Sequence, residues 1–370
     1  MNSTSLFDSL KRYDFSFFGI LTAIFLLGLA NLYSATHGSA NQQFSQIFQV
    51  QFFWYLIAVA IGAVASFISP KNYFRFSYFF YFVGIILLVL VLALGYEGMG
   101  ATRWLRIGPI RLQPSELMKI ALVLALARFF VRRDPDRDLG LKEMILPFLI
   151  AGIPALLIAL GPDLGTAVVT LLIFSMVAFY RKLRWKTIGI LALIALISGG
   201  ALYQFGLKEY QKRRILTFLD PTQDAQGSGY NAIQSKIAIG SGQIVGKGFL
   251  NSSQASLNYL PENHTDFVFS VFNEEHGFLG SLFLISLYLV LFFRFLWLAS
   301  VVTRLFDSII IIGLMSIFFW HTLINMSMVM GLMPIVGLPL PVFSYGGSSL
   351  VTFGICTGIA TSISNSRNLF

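Results

Sequence analysis

Long apolar stretches alternate along the chain with short polar intervals. Scanned at ~19 residues, about the length a helix needs to cross a bilayer, the sequence gives ten candidate spans, centred near residues 25, 58, 86, 123, 152, 173, 195, 287, 319 and 354. The expected fold class is an all-α polytopic membrane protein of about ten transmembrane helices. A single membrane domain fills 1–370, and a large extracytoplasmic loop, 206–274, joins spans seven and eight. A second, shorter outer loop runs from Gly95 to about Ser115. The run from Phe15 to Leu32 is too long for a signal-peptide core and is followed by further spans, so it reads as an uncleaved first helix.

Composition supports this pattern. Hydrophobic residues make up 56% and charged residues 12%, against roughly 25% charged in a soluble domain. The net charge of +9 would suit nucleic acid only if it were gathered on a soluble face. Instead it falls in short loops such as Arg181-Lys-Leu-Arg-Trp-Lys186, all on the side of the N-terminus, so nucleic acid is not an expected partner. The positive-inside rule makes that side cytoplasmic, and an even number of spans puts both termini there. The only cysteine, Cys356, lies in the last apolar run, so no disulfide framework is possible. No internal repeat is visible, which lowers the prior for a repeat-built transporter.

The chemistry is therefore sought in the outer loops. The polar stretch Asn258-Tyr-Leu-Pro-Glu262-Asn-His264-Thr-Asp266 stands between two apolar blocks. Asp266 either caps the following helix or, half-sheltered by aromatic residues, serves as a general base, with Ser270, Glu274 and Glu275 following at helical spacing. Lys212, Arg213 and Arg214 form a cation cluster against the positive-inside trend, suited to phosphate or pyrophosphate oxygens. Lipid headgroups are the competing partner. Four glycines at 240, 242, 246 and 248 fit no nucleotide motif and read as a folded loop with close backbone approach; Lys236 and Lys247 beside them could contact an anionic substrate.

Other candidates lie nearer the membrane. Ser115 is the expected N-cap of the fourth span. Glu116 and Lys119 follow on one face as a cavity-lining pair or a structural salt bridge, since charge at that depth needs a partner. Asp163, in Gly161-Pro-Asp-Leu-Gly-Thr166, is either functional or a helix cap. The apolar, non-helical Gly331–Ser349 should form a floor or wall of the site, with Asn325 hydrogen-bonding into it. Metal binding by Glu262, His264 and Asp266 lacks a converging ligand set.

Together these segments resemble the SEDS (shape, elongation, division and sporulation) family of peptidoglycan polymerases. The matching pieces, in family order, are Arg103-Trp104, Gln113-Pro-Ser-Glu-x-x-Lys119, Pro162-Asp-Leu-Gly-Thr166, Gly229-Tyr230 with Gln234-Ser235, Leu260-Pro-Glu-x-His-Thr-Asp-Phe267, Glu274-Glu275 and Ser344-Tyr-Gly-Gly-Ser348-Ser349. Gln234–Gly242 and Gly337-Leu-Pro-Leu-Pro341 look like the rod-shape branch. Asn251-Ser-Ser-Gln254 looks more like the division branch, and Gln243 departs from a family glycine.

The resemblance implies a peptidoglycan glycosyltransferase that polymerises lipid II during elongation and rod-shape maintenance, by inverting transfer with release of polyprenyl pyrophosphate. It implies Asp266 as catalytic base, and no organic cofactor. A divalent cation such as Mg or Mn remains an open expectation. The substrate-contacting group is Arg213, Arg214, Lys119, Glu116, Lys236 and Lys247. Arg103, Trp104, Gln113, Asp163, Glu262, His264, Glu275, Asn325, Ser344 and Ser348 line the cavity or support it. The expected partners are polyprenyl-pyrophosphate-linked glycan, a class B penicillin-binding transpeptidase and other elongation-complex membrane proteins, at the bacterial inner membrane with the site facing outward. Flipping of lipid II, or a non-catalytic scaffold role, are the alternatives.

Overall fold

The computed structural model describes residues 13–37, 43–98, 101–107, 110–133, 138–201, 204, 206, 209–221, 227–257, 259–260 and 264–367. Three helices come first: α1 (Ser16–His37), α2 (Gln43–Phe67) and α3 (Pro70–Leu94). A small antiparallel meander follows, β1 (Tyr96–Gly98), β2 (Ala101–Ile107) and β3 (Ile110–Leu112), with Tyr96 opposite Trp104 and Leu105 opposite Leu112. Then come α4 (Pro114–Phe130), α5 (Leu141–Leu160), α6 (Leu164–Tyr180) and α7 (Trp185–Ala201). The segment 206–274 holds α8 (Glu209–Leu219), α9 (Ser228–Gly242) and α10 (Ser253–Ser256), and runs into α11 (Val268–Val301). The chain closes with α12 (Leu305–Val329) and α13 (Gly347–Arg367).

Seven of these helices, α1, α2, α3, α5, α11, α12 and α13, are long and apolar enough to cross a membrane. The chain is thus a multi-pass, mainly helical membrane protein. Each remaining apolar stretch also coincides with a helix, of 17 residues in α4, α6 and α7. The strands were not expected, because a three-residue β-segment leaves too few positions for alternation to show. The fourth span also starts differently: Pro114 opens α4 with Gln113 as its N-cap residue, so Ser115 is a buried first-turn residue and not the cap. Of the four glycines expected in a loop, Gly240 and Gly242 end α9, and Gly246 and Gly248 lie in the non-helical segment after it.

Burial separates an inner group of helices from an outer wall. In α4, α12 and α13 most side chains are buried, whereas α2, α3, α5 and the second half of α11 present rows of exposed Phe, Leu and Ile. A helix apolar all round belongs inside a bundle, and this placement lets α4 carry Glu116 and Lys119 away from lipid. The tightest seam joins α2 to α13 through Ala58, Gly62, Gly354 and Gly358. A Cβ on Gly358 would lie 2.1 Å from the Gly62 carbonyl oxygen, and one on Gly354 would lie 2.3 Å from that of Ala58. Small residues at four-residue spacing allow this backbone approach.

At one end of the bundle a polar knot ties three segments. Arg294 of α11 pairs with Asp14 and donates to the Ser16 hydroxyl at 2.7 Å. The Ser364 hydroxyl donates to Asp14 at 2.5 Å, and the Asp14 N–H donates to Asn365 at 2.9 Å. The guanidiniums of Arg294 and Arg367 stack on Trp297, at 4.3 and 4.5 Å from its ring. Burial alone would raise the Asp14 pKa, but the Ser16 and Ser364 hydroxyls, the Ser16 N–H and Arg294 together hold it below the usual carboxylate value. A depressed folded-state pKa stabilises the protein above the unfolded value, near 3.9, and the contribution vanishes as pH falls through the folded one. Asp14→Asn should therefore lower the melting temperature of the detergent-solubilised protein near neutral pH. The difference from wild type should shrink toward zero in strong acid.

Candidate active site

The non-helical segment 331–346 is the floor on which the site is built, and its backbone groups are held from many directions. Arg214 of α8 donates to the Ile335 carbonyl at 3.3 Å, Asn325 of α12 to that of Leu338 at 2.7 Å, and Tyr288 of α11 to that of Pro341 at 2.6 Å. Gln51 of α2 donates to the Ser344 carbonyl at 3.0 Å and accepts from the Gly346 N–H at 3.2 Å. Ser344 closes a turn, its hydroxyl accepting from the Leu340 N–H at 2.8 Å, while Tyr345 N–H donates to the His264 carbonyl at 3.0 Å. Such partners are what irregular backbone needs where water is scarce.

Asp266 stands half-buried where the chain leaves the outer segment for α11. It is not the helix cap: Phe267 occupies that position, and no side chain caps there. The Asp266 backbone carbonyl accepts from Asn325 at 3.0 Å. Its carboxylate lies over Gly337, where a Cβ would come within 3.3 Å of Oδ2 and where φ is +73°. Glycine at 337 thus meets both a left-handed backbone and the carboxylate's space. Two residues earlier on the same segment is Ile335, the residue that Arg214 holds.

Arg214 and Lys236 line one solvent-open cleft of about 340 Å³ with Thr217, Gly331 and Ile335. Lys236 reaches it because its neighbour Ser235 is pinned, donating to the Val329 carbonyl at 2.6 Å and sharing a 2.8 Å hydrogen bond with Ser270. The Lys236 side chain then lies across Gly331, filling the place of a Cβ. Arg213, the neighbour of Arg214, is not among the residues lining that cleft. Glu262 lies outside the described residues.

Lys247 does not join this cleft. It pairs with buried Glu274 at 2.5 Å, and the same carboxylate accepts from the Ser252 and Ser253 hydroxyls at 2.6 and 2.7 Å and from the N–H of Ser253 at 3.1 Å, fastening α10. Glu275 accepts from Ser34 of α1. These contacts surround a break in α11 at Gly277, whose φ of 63° and ψ of −161° are open essentially to glycine alone. Four backbone groups around the break are taken up by the 243–248 segment: Lys247 and Gly248 N–H donate to the Glu274 and Glu275 carbonyls, and Phe278 and Leu279 N–H to those of Gln243 and Ile244, each at 2.9 to 3.0 Å. The close approach expected of the glycines holds at Gly242 and Gly246, where a Cβ would come within 2.1 and 2.0 Å of the Asn273 and Glu275 carbonyl oxygens.

The meander carries Arg103, which donates to the Pro162 carbonyl at 2.9 Å and lies 3.6 Å from Asp163. Asp163 caps α6, accepting from the Thr166 N–H and hydroxyl at 3.2 and 2.9 Å. Both line a second cleft with Leu88, Val91 and Ile158. Trp104 sits in β2, and the Ser348 hydroxyl joins α13 to the meander by accepting from Gln113 N–H at 3.3 Å and donating to the Arg111 carbonyl at 3.0 Å. Glu116 and Lys119 line neither cleft; they are buried and paired at 2.7 Å. His321, absent from the candidates drawn from the sequence, completes that cluster with Nε2 2.6 Å from Lys119 Nζ. Its signal was an isolated imidazole in an apolar run, four residues before Asn325. Among the described residues no three His, Cys, Asp or Glu side chains converge as a metal site.

Gly277→Ala should displace the 243–248 segment, since the new methyl would lie 2.4 Å from the Gly246 nitrogen on top of the strained φ. The expected result is a cost of several kcal/mol, combining strain and overpacking. It would be read as a clear drop in melting temperature and as faster proteolysis within 243–257.

The comparisons with known proteins agree. Residues 14–369 match the FtsW, RodA and SpoVE family, described as "Cell cycle protein". The chain is 39% identical over 350 residues to the peptidoglycan glycosyltransferase MrdB of Escherichia coli K12, covering 95% of this chain and 93% of that one. It is 37% identical over 325 residues to the MrdB of Helicobacter pylori, covering 86% and 83%. Among solved structures, a chain from "Structural coordination of polymerization and crosslinking by a peptidoglycan synthase complex" superposes with a TM-score of 0.81 at 32% identity, covering 96% of this chain and 98% of that one. The Thermus thermophilus rod shape determining protein RodA superposes with a TM-score of 0.72 at 30% identity, covering 96% and 97%. With the family match running almost end to end, the chain belongs to the FtsW, RodA and SpoVE family.

Proposed function

We propose that Asp266, Arg214 and Lys236 together carry out glycosyl transfer between lipid-linked sugars. The chain is a peptidoglycan glycosyltransferase of cell elongation, the activity its curated relatives carry in their names. The single observation that supports the assignment of roles is that one floor segment, 331–337, runs from the cleft holding Arg214 and Lys236 to the carboxylate of Asp266.

In this reading the substrate is lipid II. Asp266 removes the proton from the acceptor sugar's 4-hydroxyl, and that oxygen attacks the donor's anomeric carbon from the face opposite the leaving group. The bond from that carbon to the pyrophosphate oxygen breaks, configuration inverts, and polyprenyl pyrophosphate leaves with the electron pair. Arg214 and Lys236 meet its developing charge. A divalent cation would add charge at the pyrophosphate. Among the described residues no three His, Cys, Asp or Glu side chains converge to hold it. Lys247 and Glu275 support the broken helix, while Glu116 and Lys119 organise the core beneath the floor.

The same reading places the protein in the bacterial inner membrane, with about ten spans, both termini in the cytoplasm and the cleft facing outward. The knot of Asp14, Arg294 and Arg367 then lies on the cytoplasmic side. A class B penicillin-binding transpeptidase is the expected partner, supported by the similarity to a chain of a peptidoglycan synthase complex.

The test is polymerisation of labelled lipid II by the purified chain and its transpeptidase partner in detergent, where flipping has no meaning. Asp266→Asn should lower the rate by about a hundredfold or more, the scale of a lost general base. Lys236→Ala should lower it by about tenfold, the scale of one charge-assisted contact. Undiminished glycan chains from a folded Asp266→Asn protein would remove Asp266 from the chemistry.

A further inference from the structure

We propose that His321 is a positioning residue that fixes the Lys119 ammonium on the helix face whose Asn325 holds the floor segment beside Asp266; the inference rests on the catalytic reading of Asp266. Lys119 is 0% exposed. An ammonium brings three donors and no lone pair, so each neighbour must accept. Glu116 Oε1 takes one hydrogen at 2.7 Å and His321 Nε2 takes another at 2.6 Å. The imidazole therefore presents its lone pair at Nε2 and its hydrogen at Nδ1. That second nitrogen is buried and closes no hydrogen bond. The ring is steadied edge-on against Phe353, with centroids 5.7 Å apart and planes at 90°.

Helical spacing extends the argument. Asn325 lies one turn beyond His321 on the same face of α12, and it donates to the carbonyls of Asp266 and Leu338. One helix face thus addresses the floor at Asp266 and Leu338 through Asn325 and, one turn away, Lys119 through His321. A histidine that only filled space would need its shape and not its accepting nitrogen. Glutamine can place an accepting oxygen at nearly the reach of Nε2; asparagine is too short to accept from Lys119 there, and leucine cannot accept at all.

The experiment compares His321→Gln, His321→Asn, His321→Leu, Lys119→Met and the Lys119→Met/His321→Leu double variant. It measures kcat and KM for lipid II polymerisation by the complex with its transpeptidase partner, and the melting temperature of each chain. His321→Gln should stay within about threefold of wild type. His321→Asn and His321→Leu should lose about tenfold or more in kcat with little change in KM, the scale of one lost hydrogen bond to a charged group. In the Lys119→Met background, His321→Leu should cost nothing further.

Two outcomes overturn the proposal: equal losses for His321→Gln and His321→Leu, which would assign the ring to packing, or independent, multiplying effects of the Lys119 and His321 changes. If Lys119→Met leaves no measurable rate, the same cycle is read in melting temperatures, where additivity is the overturning result. If His321→Leu does not fold, the contrast between Gln and Asn decides. An active Asp266→Asn protein would sink the parent reading, while the Lys119–His321 cycle would still give its own answer.

Discussion

A stretch of backbone with no helix of its own, lying among membrane helices, must find a partner for every N–H and C=O that it cannot offer to water. Segment 331–346 meets this demand by taking donors from α2, α8, α11 and α12 and by folding Ser344 back onto Leu340. Much else in the molecule follows. Polar side chains that would be expensive in lipid, such as Gln51 and Asn325, occur where they face this segment, and the inner helices are packed closely enough to deliver them. The glycine seam of α2 and α13 serves the same end, because it brings Gln51 and the start of α13 to the same place.

The arrangement also binds the proposed chemistry to the scaffold. Asp266 itself lies outside a regular helix, so its position is set at three places: by Asn325 at its carbonyl, by Gly337 under its carboxylate, and by the short helical stretch that begins at Val268. That stretch ends at Gly277, where Lys247, Glu274 and the 243–248 backbone hold it. The break thus has four of its backbone groups paired with that segment, unlike a kink left open to lipid. A discontinuous helix whose freed groups are satisfied by a neighbouring loop is a known way to place irregular backbone at a binding site within a membrane.

Much of this was legible in the residues. Apolar length gave the helices, because burial in lipid demands continuous hydrophobicity whatever the tertiary packing. Asp266, Arg214, Lys236 and Asn325 stood out because polar groups beside or within apolar runs need a reason. The meander of β1 to β3 was hidden, since strands this short carry no period. The role of Lys247 was also hidden: a lysine destined for an ion pair looks in sequence like one destined for a substrate, and only the fold brings Lys247 to Glu274. His321 gave a signal of the right kind but depended on a partner about two hundred residues away. Asp163 was read as either cap or functional group, and its bonds to Thr166 show the capping role while Arg103 beside it opens the same carboxylate to a cleft.

The break at Gly277 divides α11 into two materials. Above it, every residue from Val268 to Glu275 is buried among other protein groups; below it, Phe278, Leu279, Leu282, Phe283, Leu289 and Phe293 face outward. One continuous stretch of sequence thus answers to two different solvents. The upper part must fit neighbours of fixed shape, whereas most outward positions of the lower part need only be apolar enough for an acyl chain, so substitutions should be tolerated in very different patterns on either side of a single glycine.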